Sequence, residues 1–174
     1  MSLEWASLVS IRPYEPRDLD GCRELWVELT EWHRSIFETP SIGGDDPGRQ
    51  FDAHLARVGA ERIWVADENG ELVGLAGLVL EHGEAELEPI VVSKRLRGRG
   101  VGRRLAEAVI EHAREHRVRQ LQVRPVGRNA EAIRFFHRLG FDVLDQVVLM
   151  LDLVTDEPRP WRDGELVAAR RFRV

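Results

Sequence analysis

The segment from Glu84 to His116, EAELEPIVVSKRLRGRGVGRRLAEAVIEHAREH, limits what this chain can fold into more than any other. An alternating stretch rich in valine and isoleucine runs into three closely spaced glycines, and an amphipathic helix pattern follows at once. Val101, Leu105, Ala108, Val109 and His112 fall on one helical face. A strand that leads through a tight glycine loop into a helix requires a crossover. The next strand, LQVRP at residues 121–125, should therefore lie parallel to the first.

The flanking sequence completes an α/β (α+β) reading. LVSIRP is a short strand ending at Pro13. The stretch from Pro16 to Phe37 places Leu19, Cys22, Leu25, Trp26, Leu29, Trp32 and Ile36 at helical spacings, with Asp18 as its expected N-cap. A second short helix reads through Phe51, Leu55 and Val58. RIWVAD and ELVGLAGLVLE form a hairpin about Asn69-Gly70, and EAELEPIVVS adds a third antiparallel strand. After LQVRP comes a helix capped by Asn129 and stopped by Gly140, and then a final strand region over residues 141–154. The expected order is β-α-α-β-β-β-α-β-α-β. With no repeat or linker, it makes one domain over residues 1–174, with a core at about 9–154 and a tail at 155–174 that can supply one more strand.

Composition narrows the function. At 174 residues, 43% hydrophobic, the chain can bury a real core. A single cysteine, Cys22, excludes an internal disulfide and a cysteine-based metal cluster; no metal site is read, and a reducing, cytoplasmic setting is expected. The N-terminus lacks the pattern of a secretory leader, and no apolar run approaches the about 20 residues that cross a bilayer. Charge is segregated. Residues 1–93 carry 7 basic and 19 acidic side chains, residues 94–119 carry 9 and 3, and residues 120–174 carry 9 and 8. A nucleic-acid surface would spread its arginines over several elements. A compact cationic segment suits a small polyanion instead.

The position of that segment suits phosphate. Glycines let backbone amides converge, and the dipole of the following helix favours an anion. The Walker loop fails, because Gly102 is followed by Arg103-Arg104 and not Lys-Ser/Thr. The G-x-G-x-x-G fingerprint fails too, since its last position would be Arg103 or Leu105.

Arg97-Gly98-Arg99-Gly100-Val101-Gly102 resembles the R/Q-x-x-G-x-G/A loop of the GNAT family of N-acetyltransferases. The resemblance extends over LEPIVVSKRLRGRGVGRRL, the RNAEAIRFFHRLGF segment and the order of elements, about residues 9–154. It implies acetyl-CoA as co-substrate, with its diphosphate on the amides of Arg97 to Gly102 and on into Arg103. The pantetheine arm would run beside Ile90, Val91 and Val92, where that strand splays from residues 121–123. A backbone amide near Val91 or Val92 would polarise the thioester carbonyl. Asn129 matches a cofactor-contacting asparagine and equally serves as a helix cap. The arginines around the loop read equally as solvated charge.

An ammonium acceptor must lose a proton before it attacks. Glu86 and Glu88, two apart on the strand before the loop, share one face. Family members often place a base or an amine-binding carboxylate at such positions, so Glu88 is the first candidate and Glu86 the second. A wet strand edge is the bland reading of both. Where the family usually has a tyrosine that protonates the departing thiolate, this chain has Phe136, and its only tyrosine is Tyr14. The neighbouring His137 points elsewhere and reads as a surface histidine. The chain therefore reads as an N-acetyltransferase acting on a primary amine by direct attack in a ternary complex; the alternative is an acetyl-CoA-binding sensor or pseudoenzyme. Glu24, Glu28, Glu31, Glu38, Asp45 and Asp46 around Trp26, Trp32 and His33 suit a cationic small-molecule or peptide amine, or form a solvated helix face. No nucleic acid or membrane partner is expected, and the family's habit of dimerising implies a homodimer.

Overall fold

The computed structural model describes residues 9–81, 83–151, 153, 163–167 and 170–173. They fall into two compact units: one runs to Ser35 and from Thr39 to Arg124, the other comprises Ile36–Glu38 and the residues from Pro125 onward.

The first unit is built on a five-stranded sheet in the order β1-β2-β3-β4-β5: β1 (Val9–Pro13), β2 (Ile63–Glu68), β3 (Glu71–Glu81), β4 (Glu84–Val92) and β5 (Leu121–Gln122). The first four are antiparallel, and β4 and β5 are parallel, as the crossover requires. Helices α1 (Leu19–Phe37), α2 (Gln50–Val58) and α3 (Val101–Glu115) pack on it. Alternation along β2 separates two apolar layers. Ile63 and Val65 enter a cluster with Tyr14, Cys22, Leu25 and Phe51, beneath α1 and α2. Trp64 turns the other way and meets the His112 ring of α3 at 4.9 Å. A Cβ at Gly74 would come within 2.9 Å of both the Leu105 side chain of α3 and the Val91 carbonyl oxygen of β4, and the fixed carbonyl makes glycine the fitting residue there.

Asp18 departs from its expected role as a simple cap. It ends a 3-10 turn before α1, accepts the Glu15 N–H at 2.8 Å, and receives both terminal nitrogens of Arg12 at 2.7 and 2.8 Å. Arg12 also reaches Asp67 at 2.8 Å, and Asp67 accepts the Gly70 N–H at 2.6 Å. One guanidinium thus ties β1, the entry to α1 and the β2–β3 turn together. Both carboxyls are held below the usual range, first of all by the Arg12 hydrogen bonds.

The second unit contains α4 (Ala130–Arg138) and a hairpin of β6 (Asp163–Val167) and β7 (Arg170–Arg173). The hairpin realises the extra strand expected in the tail. The final strand expected over residues 141–154 differs: between 142 and 151 no ladder forms, and Val143, Leu144, Val148 and Leu151 are exposed. Apolar, β-branched composition supplies strand propensity but not a partner edge, and a strand needs both.

Candidate active site

The β4–α3 connection has the geometry its glycines suggested. A 3-10 turn over Lys94–Leu96 buries Leu96 and anchors the loop. Gly98 (φ 76°) and Gly100 (φ 83°) then take left-handed backbone, where a side chain would be strained although there is space for one. Gly100 is the N-cap and offers no side chain to the helix. The first intrahelical bond runs from Arg104 N–H to the Gly100 carbonyl at 3.1 Å. The amides of Val101, Gly102 and Arg103 therefore have no intrahelical acceptor and point outward at the positive end of a 15-residue helix.

The arginines around these amides are largely engaged by the protein. Arg95 pairs with Glu68 and with Glu71 (2.9 Å), and Arg103 with Glu107 (2.8 Å). Arg104 donates to the Val9 carbonyl at 2.8 Å. Arg97 donates through Nε to the Val92 carbonyl at 3.1 Å, and its guanidinium lies over Trp32, 4.9 Å from the ring centre. The Lys94 amide donates to Glu28 of α1 at 2.5 Å. The segment that looks like a patch of charge is thus mostly a set of struts holding the loop against α1, β2 and β3.

Beside the loop, the sheet opens. β4 and β5 pair only at Ala85–Leu121 and Glu86–Gln122. From Leu87 to Val92 the β4 edge on that side has no ladder partner among the described residues, and the half-buried Ile90 and Val92 lie along this stretch. On the other side β4 bulges. Ala76 pairs with Ile90 and Leu78 with Leu87, so Glu88 and Pro89 stand against Gly77 alone. A Cβ on Gly77 would sit 2.6 Å from the Glu88 carbonyl oxygen.

The two candidate carboxylates are close enough to repel but sit in different surroundings. Glu86 is 12% exposed and accepts from Arg124 Nη1 at 2.7 Å; burial pushes its carboxyl above the usual range, with the Arg124 charge opposing. Glu88 is 48% exposed and pairs with Arg57 Nη2 at 3.1 Å. Arg124 also holds Glu84 at 2.7 Å.

Sequence reasoning missed His54 and Arg57. Both lie on α2, whose pattern signalled only a short apolar helix. His54 is 5% exposed, packs against the Trp26 ring at 5.0 Å, and leaves Nε2 without a hydrogen-bond partner. That nitrogen would be 3.2 Å from a Cβ on Gly77, so it lies next to the β4 bulge. Burial first, then the Arg57 charge, push its imidazole down to about 4, leaving it neutral at pH 7. A histidine in a helical apolar stripe carries no sequence signal that distinguishes it from filler.

The acidic residues of the α1 region are partly matched. Glu31 pairs with Arg34 at 2.6 Å, and Asp46 with Arg49 at 3.2 Å. Trp26 belongs to the margin of the core, against Phe51. Tyr14 is buried in that core. In the second unit, Asn129 caps α4, its side-chain oxygen accepting from Ala132 N–H at 3.0 Å. Phe136 is buried between Phe135 and Phe141, with ring centres at 5.1 and 5.7 Å, and His137 is exposed. Among the described residues, no helix is long and apolar enough to cross a membrane.

The sequence pattern described as "Acetyltransferase (GNAT) family" matches residues 26–141 of this chain. The chain belongs to that family. Among curated proteins, the uncharacterized N-acetyltransferase YjgM of Escherichia coli K12 is 29% identical over 104 residues, 58% of this chain and 62% of YjgM. The matched stretch thus spans less than two thirds of that relative's length. Among solved structures, the PaiA N-acetyltransferase of Thermoplasma acidophilum in complex with coenzyme A superposes with a TM-score of 0.68 at 17% identity, covering 80% of this chain and 92% of that one. A GNAT-family acetyltransferase of Staphylococcus aureus Mu50 gives 0.66 at 18% identity, covering 87% and 95%. At such identities these two likenesses concern the GNAT fold, a mixed sheet with one parallel pair beside a glycine loop.

Proposed function

We propose that the protein is an N-acetyltransferase that moves the acetyl group of acetyl-CoA to a primary amine. The observation that carries this reading is the juxtaposition of an uncapped α3 N-terminus with the unpaired edge of β4. The diphosphate of the donor rests on the amides from Arg97 to Arg103, with Gly98 and Gly100 holding the backbone in place. The acyl arm lies along Ile90, Val91 and Val92, where a free strand amide polarises the thioester carbonyl.

The amine nitrogen attacks the thioester carbon directly. An N–C bond forms, the C–S bond breaks, and the proton lost by the nitrogen passes to a carboxylate. Burial and a raised carboxyl favour Glu86 over Glu88 for that role, because a base works best when its pKa approaches the operating pH. Glu88, exposed and paired with Arg57, is better suited to hold a cationic acceptor. The CoA thiolate leaves as an anion and takes its proton from solvent, since Phe136 has none to give. The acceptor is an amine of moderate charge: part of the acidic surface of the α1 region is matched by arginines. The family resemblance supports a homodimer, and the single cysteine a reducing, cytoplasmic setting.

Thiol release from acetyl-CoA across a panel of primary amines tests the reading. Acceptor-dependent release is expected. Glu86→Gln should lower kcat by about 10²-fold and remove the acid limb of the pH profile, while Glu88→Gln should mainly raise the acceptor KM. Tight acetyl-CoA binding without acceptor-dependent release would favour the second reading, an acetyl-CoA sensor, which the replacement of the usual tyrosine by Phe136 supports.

A further inference from the structure

We propose that His112, Glu115 and His116, on the last turn of α3, form a binding site for one divalent transition-metal ion of the zinc type. The site is separate from the acyl-donor loop and does not rest on the enzymatic reading. His112 lies 11 residues beyond Val101, about 16 Å along the helix axis.

The three residues stand at i, i+3 and i+4, so they share one face. One ligand atom from each lies within 4.8 Å of the others. Tetrahedral zinc, with nitrogen and oxygen ligands about 2.0–2.2 Å away, brings its donors to about 3.4 Å apart. Glu115 and His116 are exposed, and rotation of their side chains covers the difference. The two imidazoles are one helical turn apart, the histidine spacing that known helical zinc sites use.

Two features show that the rings are already oriented. The Nδ1 of His116 lies 2.8 Å from the His112 carbonyl oxygen. A carbonyl only accepts, so Nδ1 carries the proton and Nε2 presents its lone pair, the arrangement in which a second contact fixes the tautomer of a metal-ligating histidine. His112 is half-buried and held edge-on by Trp64 of β2 while stacking on His116 with ring centres 4.0 Å apart. Arg62, at the end of the 3-10 turn before β2, is matched by Glu61 at 3.4 Å, and Arg114 of α3 by Glu111 at 3.5 Å. Two imidazoles and one carboxylate select zinc, nickel or copper over magnesium or calcium. Three protein ligands leave a position for water. A bound ion would clamp the C-terminal turn of α3 and, through His112 and Trp64, tie it to the sheet.

The test uses the full chain without a histidine tag, freed of metal by a chelator. Calorimetric titration with Zn2+ should give one equivalent, and Zn2+ at a hundred times Kd should raise Tm by roughly 5–10 °C. Ni2+ should quench a fraction of the tryptophan fluorescence that Trp64→Phe removes. His116→Ala, at an exposed position, should keep the metal-free Tm yet bind Zn2+ about tenfold or more weakly. His137→Ala, on α4, should bind like the wild type. The site is ruled out if Zn2+ affinity is the same with and without His116, or if His137→Ala abolishes binding as fully.

Discussion

Among single residues, His54 carries the clearest physical consequence. Its imidazole is neutral in the fold and titrates at about 4, against an ordinary value near 6.5. Between those values the unfolded chain binds a proton that the native state refuses. The stability His54 contributes is therefore complete above pH 6.5 and falls as the pH drops toward 4, by about 1.4 kcal/mol per pH unit and about 3 kcal/mol in all. His54→Phe also removes a buried nitrogen that lacks a partner. Urea unfolding at pH 7 and pH 5 should show the wild type losing about 2 kcal/mol more than the variant; parallel losses would refute the assignment. Glu86 is shifted the other way, upward, by burial. In its proposed role as base it must be ionised, so kcat/KM should rise through a pKa above the ordinary carboxylate range and fall as the pH drops below it. His54 and the unequal surroundings of Glu86 and Glu88 were not legible in the sequence. Spacing placed the two glutamates on one face of one strand. Their surroundings differ through Arg124 and Arg57, which are distant in sequence and which no local pattern announces.

At the scale of elements, two glycines do different work, and substitution separates them. Gly100→Ala meets open space and only the cost of left-handed backbone, about 1 kcal/mol of stability. It should weaken acetyl-CoA binding measurably by calorimetry while the melting temperature falls by only about 2–4 °C. Gly77→Ala meets the Glu88 carbonyl at 2.6 Å and must displace the β4 bulge. It should cost about 2 kcal/mol or more and reduce turnover, visible together in thermal melts and initial rates. The glycine loop, the hairpin and the crossover were legible, because each is set by local backbone chemistry or by a period within one segment. The bulge was not, because a register shift belongs to two strands at once. The strand expected over 141–154 fails for the same reason: composition describes one strand and says nothing of its neighbour.

For the whole molecule, the Arg12 network is the point where sheet and helix layers are fastened. Asp18→Asn leaves Arg12 half-satisfied and should cost about 3 kcal/mol at pH 7. Both carboxyls titrate below their ordinary values, so their contribution is complete above about pH 4 and is lost as the pH falls through the lowered values. Acid unfolding monitored by circular dichroism should be shallower below pH 4 in the variant than in the wild type. The charge asymmetry along the chain was legible as a count, but its meaning was not. Among the described residues, Arg95 and Arg124 reach back to acidic partners before position 94, Arg95 to Glu68 and Glu71 and Arg124 to Glu84 and Glu86, while most ion-paired acidic residues there use arginines of their own segment.

That pairing bears on how a donor arrives. Arg95 and Arg103 each face a carboxylate, and those pairs offset part of the positive charge beside the loop. In the proposed site the hold on a diphosphate comes from peptide dipoles, which act over a few ångströms and need no counterions expelled. Capture of the donor should therefore slow less between dilute buffer and about 0.5 M salt than it would with an array of bare guanidinium groups, which stopped-flow association rates would check.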